Sequence, residues 1–277
     1  MNRWLVARRA VLAGALIGAS TLAGRTGDAR AAARWSVLAR VAGGPDDLAE
    51  GPGGSVYVSL VRGGAVVQRW PDGRLRVVAA GLREPEGIVV EPTGALVVAE
   101  QGRNRLVRLV GGRVRPLLDL ANTTGRDGVD GIARDPRSGD LIVPDAPNGQ
   151  VLRVSPDGRT VTTLAYGLGR PAGGVVAADG SVVVVDETLG GAYRIPAGGG
   201  APTRLGGALP VPDDIAPDGH GGYLITCLGD GSLRRVSATG ATTIVSTGLP
   251  NPQGLLRRPD GTIVVAEEDR GLLLVRH

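Results

Sequence analysis

Short runs of apolar residues, separated by turns rich in Gly, Pro and Asp, recur along the chain from residue 45 onward. Within residues 85–120, apolar runs cover 88–90, 95–99, 106–110 and 114–120, and a turn over 91–94 joins the first two. Runs of this length, rich in β-branched residues and bounded by turn residues, are typical of strands. No stretch shows the period of an amphipathic helix. The pattern therefore predicts an all-β domain.

Six units of this kind follow one another. They begin at residues 45, 85, 129, 171, 212 and 252, which are 40, 44, 42, 41 and 40 residues apart. Four short strands in about 41 residues is the period of a propeller blade. The last unit stops after its third strand, whereas residues 35–41 supply a strand before the first unit. We therefore predict a six-bladed β-propeller of four-stranded blades, closed by the N-terminal strand, which completes the last blade.

Residues 1–33 have the pattern of an export signal. Arg8 and Arg9 precede an apolar stretch over residues 10–24, and small residues follow over 29–33. That stretch is shorter than the roughly 20 residues that span a bilayer. The twin-arginine pattern predicts an extracellular, periplasmic or cell-envelope location, with an uncleaved membrane anchor as the alternative. Residues 34–277 are predicted to form a single propeller domain.

Composition narrows the choice of partners. The 31 basic residues are all Arg, the net charge is +4, and the Arg residues are not interleaved with aromatic residues, which argues against a nucleic-acid surface. The single Cys227 excludes an intramolecular disulfide and is expected to be a small buried residue. The two histidines, His220 in a turn on the far face and His277 at the terminus, cannot assemble a zinc cluster. We expect a monomer that acts on a small molecule.

Carboxylates gather at one end of the predicted ring. The innermost strand of each blade starts at the channel mouth, where the first set of positions is Asp46, Glu86, Asp130, Ala172, Asp213 and Gln253. The residues that close the second strand share that face, and this second set is Leu60, Glu100, Asp145, Asp186, Cys227 and Glu267. Eight of these twelve positions are carboxylates in a chain of positive net charge. We therefore expect the channel mouth to be strongly acidic.

Such a cluster needs protons or a cation. Two carboxylates about 6 Å apart, at an effective dielectric constant of about 20, repel each other by about 3 kcal/mol. Oxygen donors suit Ca²⁺, with Mg²⁺ or Mn²⁺ as alternatives. We predict a metal site of four carboxylates from the first set: Asp46, Glu86, Asp130 and Asp213. Predicted substrate contacts are Gln253, Arg126, Glu100, Asp145 and Asp186.

Other roles stay open for some of these residues. For the second set, hydrogen bonds to the backbone or to Arg are the alternative to contact with substrate or metal. The Arg residues in loops on the mouth face are expected mainly to neutralise nearby acids, with binding of a substrate anion as the alternative. Three examples are Arg103, Arg170 and Arg270.

A resemblance to known families follows from the repeats. Residues 99–106, AEQGRNRL, look like part of an NHL repeat. All six units resemble the superfamily that holds NHL proteins, the gluconolactonase and senescence-marker-protein family, and strictosidine-synthase-like proteins. The resemblance to the gluconolactonases implies metal ligands at the starts of innermost strands. Matched in blade order, these fall on Asp46, Asp130 and Asp213, while a fourth falls on Ala172, for which Glu86 or Gln253 would substitute.

Three functions are compatible with these features. The first is an exported metal-dependent hydrolase acting on a lactone or similar small ester, with Asp213 as ligand or general base. The second is a non-enzymatic propeller that binds a protein or small ligand, which the missing ligand at Ala172 favours. The third is an isomerase, lyase or condensing enzyme of specialised metabolism that uses a channel carboxylate without metal. We expect the first.

Overall fold

The computed structural model describes residues 35–122, 124–125 and 127–277. The predicted export segment over residues 1–33 and the predicted substrate contact Arg126 lie outside the described residues. Within the described part, the strands form six four-stranded antiparallel sheets arranged as a six-bladed β-propeller, which confirms the predicted fold. Among these residues, no helix has the length and apolar character needed to cross a membrane.

The chain begins with β1 (Ser36–Arg40) and then builds the blades in order, each from an inner to an outer strand. Blade 1 consists of β2 (Pro45–Glu50), β3 (Val56–Leu60), β4 (Ala65–Arg69) and β5 (Leu75–Ala80). Blade 2 consists of β6 (Pro85–Val90), β7 (Leu96–Glu100), β8 (Arg105–Val110) and β9 (Arg113–Asp119). Blade 3 consists of β10 (Ala133–Arg134), β11 (Leu141–Asp145), β12 (Gln150–Val154) and β13 (Val161–Ala165).

The second half of the ring repeats this arrangement. Blade 4 consists of β14 (Pro171–Val176), β15 (Val182–Asp186), β16 (Gly191–Ile195) and β17 (Thr203–Leu205). Blade 5 consists of β18 (Pro212–Pro217), β19 (Tyr223–Cys227), β20 (Ser232–Val236) and β21 (Thr242–Ser246). Blade 6 consists of β22 (Pro252–Arg257), β23 (Ile263–Glu267), β24 (Leu272–Arg276) and the N-terminal β1. Short 3-10 turns cover Pro52–Gly54, Gln101–Arg103 and Ala146–Asn148.

The N-terminal strand closes the ring, as the sequence predicts. Strand β1 pairs antiparallel with β24, from Ser36 opposite Val275 to Arg40 opposite Leu272. The N–H of Val41 then donates to the carbonyl of Gly271 at 2.8 Å. This pairing covers the outer edge of blade 6 and fastens the two ends of the propeller together.

The core lies between the blades, in six apolar layers that each join two neighbours. Strand β15 shows how this arises from the sequence. Val183 and Val185 pack toward blade 5, whereas Val182 and Val184 pack toward blade 3. Both faces of the strand are thus covered, so its apolar run is continuous and does not alternate with polar residues.

The start of blade 3 differs from the prediction. Residues 129–132 are not part of a strand, and β10 contains two residues only. The reason is that blade 2 holds this segment: the N–H of Val129 donates to Asn104 Oδ1 at 2.8 Å, and the N–H of Gly87 donates to the Asp130 carbonyl at 3.2 Å. Asp130 therefore approaches the axis from an irregular segment attached to the neighbouring blade.

The innermost strands approach one another closely because four of the six blades carry Gly at the third position of the unit. At Gly254, a Cβ atom would lie 2.2 Å from the carbonyl oxygen of Asp46 in the next blade. Any larger residue there would push blades 6 and 1 apart. These glycines allow the inner strands of their four blades to lie close to the neighbouring backbone, which keeps the preceding residues near the axis.

Candidate functional site

A cavity of about 360 Å³ opens at the mouth of the propeller, on the face where the innermost strands begin. Each blade contributes a carboxylate from near the start of its first strand or from just past the end of its second, and the segment before blade 3 adds Asp127. In blade order, the carboxylates of the blades are Asp46, Glu86, Asp130, Glu187, Asp213 and Glu268. The wall is completed by Val61, Gln101, Asp127, Arg170, Leu228 and Gln253. The cavity is therefore strongly acidic, with Arg170 as its cationic side chain among the residues described.

Five positions of the predicted first set converge in this cavity: Asp46, Glu86, Asp130, Asp213 and Gln253. The sixth, Ala172, is fully buried and has no polar side chain. The four predicted metal ligands thus share one cavity, and their assignment as ligands stays a prediction. In blade 4, the carboxylate that Ala172 lacks is supplied by Glu187.

Five residues of the second set stand one position before a side chain that reaches the cavity. The residues that close the second strands are buried in the blades, whereas the next residues face the mouth: Val61, Gln101, Glu187, Leu228 and Glu268. Side chains alternate between the two faces of a strand, so moving one residue past its end reverses the direction. Sequence reasoning missed Glu187 and Glu268 for this reason, although applying the alternation beyond Asp186 and Glu267 identifies them.

Three predicted substrate contacts therefore occupy the interior of the blades. Glu100 is fully buried and accepts hydrogen bonds from the Arg83 N–H at 2.8 Å and Arg105 Nε at 2.5 Å. Asp145, equally buried, accepts hydrogen bonds from two amide side chains that follow it, those of Asn148 and Gln150.

Asp186 is held in the same way. It accepts hydrogen bonds at 2.7 Å from the backbone N–H groups of Gly169 and Leu189. Within the described residues, Glu100, Asp145 and Asp186 do not line the cavity. Their position supports the alternative left open by the sequence, hydrogen bonding to backbone and Arg at the ends of hairpins.

Arg170 lies between two of the cavity carboxylates. Its Nη2 is 2.9 Å from Asp130 Oδ2, and its Nη1 pairs with Glu187 Oε1. Burial opposes the charge of the guanidinium, but Asp130 and Glu187 outweigh it and raise the pKa of Arg170 further above its usual value. The side chain is thus a permanent cation within the acidic ring.

Two other mouth-face arginines also pair with acids. Arg103 pairs with Glu100, and Arg270 Nε lies 3.2 Å from Glu267 Oε2. The prediction that these loops mainly neutralise nearby carboxylates is confirmed for Arg103, Arg170 and Arg270. Amide side chains also form hydrogen bonds to the cavity carboxylates. Gln101 Nε2 donates to Glu86 at 2.5 Å, and Gln253 Nε2 donates to Glu268 at 3.2 Å.

Four of the cavity carboxylates have raised pKa values. Burial raises the pKa well above its usual range at Asp46, Glu86 and Asp213, and the neighbouring Asp130 carboxylate is the next cause in each case. Burial and then Asp130 raise the pKa of Glu187 to about 7, although Arg170 opposes this. Arg170, together with Arg62, which pairs with Glu268, therefore supplies too little positive charge for the cluster, and the raised pKa values favour protonated carboxyl groups.

Three of these side chains are close enough to share one ion. Carboxylate oxygens of Asp130, Glu187 and Asp213 all lie within 4.8 Å of one another. The donors are oxygen atoms alone, which suits a hard divalent ion such as Ca²⁺, Mg²⁺ or Mn²⁺. Burial and neighbouring carboxylates raise the pKa values of Glu187 and Asp213, so additional positive charge would stabilise their ionised forms. The residues present therefore fit a divalent cation.

Two further aspartates form the floor of the site. Asp47 accepts hydrogen bonds at 2.6 Å from the N–H groups of Leu48 and Ile88, and so joins blade 1 to blade 2. Asp214 likewise joins blades 5 and 6, because it accepts hydrogen bonds at 2.7 Å from the N–H groups of Ile215 and Leu255. Both line a small void of about 10 Å³ under the cavity. Such carboxylates hold the inner strands in register directly below the candidate ligands.

The remaining nucleophilic and basic residues lie elsewhere. Cys227 is fully buried between blades 4 and 5, and burial raises the pKa of its thiol to about 12. His220 is exposed in the turn between β18 and β19, on the face opposite the mouth. His277 Nδ1 lies 3.2 Å from Thr262 Oγ1. None of these three lines the cavity among the residues described.

Two larger hollows, of about 560 and 460 Å³, lie on the opposite face between neighbouring hairpins. Their charged groups are paired within the fold. Arg108 Nη2 lies 2.8 Å from Glu91 Oε1 in the first, and Arg194 Nη1 lies 3.3 Å from Asp179 Oδ2 in the second. The unbalanced acidic charge is therefore found at the mouth.

Comparisons with known proteins support the fold. No protein-family model and no curated protein sequence matches the chain. Among solved structures, a gluconolactonase from Xanthomonas campestris is 18% identical, with a TM-score of 0.74 over 88% of this chain and 89% of that chain. A proposed gluconolactonase is similar at 18% identity and TM-score 0.74, over 89% of this chain and 92% of that chain.

A third similar structure is a lyase. It is a virginiamycin B lyase from Staphylococcus aureus, a catalytically inactive histidine-to-alanine variant with quinupristin. It is 14% identical, with a TM-score of 0.68 over 88% of each chain. At these identities the similarity establishes the fold, and the expected resemblance to gluconolactonase propellers is confirmed at that level.

Proposed function

We propose that this chain is a divalent-cation-dependent hydrolase that opens a lactone or a similar small ester. The observation that carries the proposal is the convergence of at least one carboxylate from every blade on a cavity of about 360 Å³. The similarity of the fold to gluconolactonases supports the choice of substrate class. A cavity of this volume accommodates a small molecule and not a folded partner.

Asp130, Glu187 and Asp213 would hold the cation, since their oxygens already lie within 4.8 Å of one another. Asp46 and Glu86 line the same cavity and add negative charge beside them. We expect Ca²⁺, with Mg²⁺ or Mn²⁺ as alternatives. When bound, such an ion polarises a carbonyl oxygen and lowers the pKa of a water molecule.

Asp213 is our choice for the residue that handles the proton. Burial, followed by the charges of Asp130 and Glu187, raises the pKa of its carboxyl group well above the usual range. In the ion-free site this carboxyl group therefore favours its protonated form. A bound divalent cation would favour the ionised form, which can accept a proton from a water molecule in the cavity. Before an ion binds, Arg170 holds Asp130 and Glu187 beside Asp213.

Lyase chemistry is the alternative that the comparisons raise. In the similar virginiamycin B lyase structure, replacement of a histidine accompanies the loss of catalysis. In this chain, His220 is on the far face and His277 contacts Thr262, so neither can act in the cavity. A histidine-dependent elimination therefore lacks its base here, and we prefer hydrolysis.

A non-catalytic propeller that binds a ligand is the second candidate. The observation that favours it is the ion pairing of Arg170 with Asp130 and Glu187, which partly neutralises the candidate metal site without any ion. A propeller of this kind would bind its ligand without turnover.

We also propose that the protein works outside the cytoplasm. The proposal rests on the Arg8–Arg9 pair and the apolar stretch that follows it. Replacing both arginines with lysine should retain the full chain in the cytoplasm of a host with twin-arginine export. Equal export of both forms would overturn this part of the proposal.

The test of the catalytic proposal is hydrolysis of a panel of lactones by the purified protein, with and without a chelator. We expect activity that EDTA abolishes, that Ca²⁺ or Mn²⁺ restores, and that Asp213→Asn removes. The matched control is Asp230→Asn, an exposed residue of the same blade that pairs with Arg234 outside the cavity. Activity that survives both EDTA and Asp213→Asn would refute the mechanism.

A further inference from the structure

Arg170 is bonded to two of the three carboxylates that could share an ion. Its guanidinium contacts Asp130 Oδ2 at 2.9 Å and Glu187 Oε1, and these residues form the close oxygen cluster together with Asp213. An ion bound by the cluster and the guanidinium would therefore compete for the same two carboxylate groups. No other blade places an arginine in the cavity, as far as the described residues show.

The position of Arg170 is unusual among the six blades. It immediately precedes the innermost strand, and the corresponding residues of blades 2, 5 and 6 have a left-handed backbone: Glu84 (φ 48°), Val211 (φ 50°) and Asn251 (φ 43°). Arg170 does not share that conformation. Its side chain reaches the carboxylates of blades 3 and 4, in the blade where Ala172 leaves the first position without one.

We propose that Arg170 is a built-in counter-cation of the mouth site, which a divalent cation must displace and which therefore sets the affinity for that cation. The inference rests on the proposed function, because the site is the same. It assigns a role to a residue that is neither a ligand nor a catalytic group. It also explains how the oxygen cluster stays assembled before an ion binds.

Displacement is physically accessible. The Arg170 side chain is 24% exposed, so the guanidinium has a direct route into solvent at the rim of the mouth. If it stayed in place, a divalent ion sharing its carboxylates would lie within a few ångströms of a like charge in a partly buried site. That repulsion, on the order of several kT, corresponds to at least about a tenfold loss of affinity.

The experiment is a calorimetric titration of the full chain with Ca²⁺, comparing the wild type with Arg170→Met. Methionine keeps an unbranched side chain and removes the charge. We expect the dissociation constant to fall at least about tenfold. The matched control is Arg103→Met, which removes a mouth-face arginine paired with Glu100 outside the cavity and should leave the affinity unchanged. Equal or weaker binding by Arg170→Met overturns the inference.

A second variant protects the test against misfolding of Arg170→Met. Arg170→Lys keeps the charge but lacks the planar fork that bridges two carboxylates, so its affinity should lie between those of the other two proteins. In thermal unfolding, Ca²⁺ should raise the Tm of Arg170→Met more than that of the wild type. A larger rise in the wild type contradicts the inference.

The outcomes separate this inference from the proposed function. Binding by both proteins with equal affinity overturns the role of Arg170 and leaves the metal-dependent hydrolase standing. Binding by Arg170→Met alone supports the role of Arg170 and overturns metal dependence of the wild type. Absence of binding in every variant overturns both.

Discussion

Replacing Asp47 with Ala should loosen the junction between blades 1 and 2. The carboxylate of Asp47 accepts hydrogen bonds at 2.6 Å from the N–H groups of Leu48 and Ile88. Alanine leaves both buried donors without an acceptor, which costs about 1–3 kcal/mol for each. Burial and then the Asp214 carboxylate raise the pKa of Asp47, so removing the acid recovers part of this cost. We expect a net loss of about 3 kcal/mol.

Two further variants isolate the cause. Asp47→Asn has the same shape, retains one acceptor oxygen and removes the charge, so it should lose only about 1 kcal/mol. Asp72→Ala removes an exposed carboxylate whose partner is Arg74, at 2.6 Å, and should leave the stability unchanged. The expected order of stability is therefore wild type and Asp72→Ala, then Asp47→Asn, then Asp47→Ala.

The assay is unfolding by urea, with thermal unfolding as a second measure. For a domain of about 240 residues, a loss of about 3 kcal/mol lowers the Tm by roughly 6–12 °C. The reasoning is refuted if Asp47→Ala lies within about 0.5 kcal/mol of the wild type, which is the usual range for surface substitutions. It is also refuted if asparagine destabilises the protein more than alanine does.

Three further results are expected. Gly254→Ala should lower the free energy of unfolding in urea by about 3 kcal/mol, because its Cβ would lie 2.2 Å from a carbonyl oxygen. Gly198→Ala, which has open space around it, should lose little stability. Equal losses would contradict the close approach of the blades. In EDTA, thermal stability should fall as the pH rises from about 4 to about 7. Burial raises the pKa of Glu187 and Asp214 to about 7, so the folded state holds more protons than the unfolded state over this range. Stability that rises over the same range would count against the raised pKa values. Cys227 should react with a thiol reagent only in denaturant, because it is fully buried and its pKa is about 12; rapid labelling of the native protein would show otherwise.

The blades and the closure of the ring could be predicted because both depend on local patterns. Apolar runs such as that of β15 and the turns between them are read from a few neighbouring residues. The strand over Ser36–Arg40 was predictable because the last unit lacked a partner for its third strand. The gathering of Asp46, Asp130 and Asp213 followed from the same repeat, since equivalent positions of all blades meet at the axis.

The details of the mouth depended on information that the repeat does not contain. Glu187 and Glu268 were missed because the direction of a side chain just past a strand end depends on where the strand stops. The pairing of Arg170 with Asp130 joins two blades and arises only when they pack together. The irregular start of blade 3 likewise follows from a hydrogen bond to Asn104 of blade 2.

The central claim is that carboxylates from separate blades form one binding site for a divalent cation. An anomalous difference map from crystals grown with Mn²⁺ tests it most directly. We expect a single strong peak between Asp130, Glu187 and Asp213, with the Arg170 guanidinium moved away from these oxygens. A map without a peak in the cavity, with Arg170 still bridging Asp130 and Glu187, would contradict it.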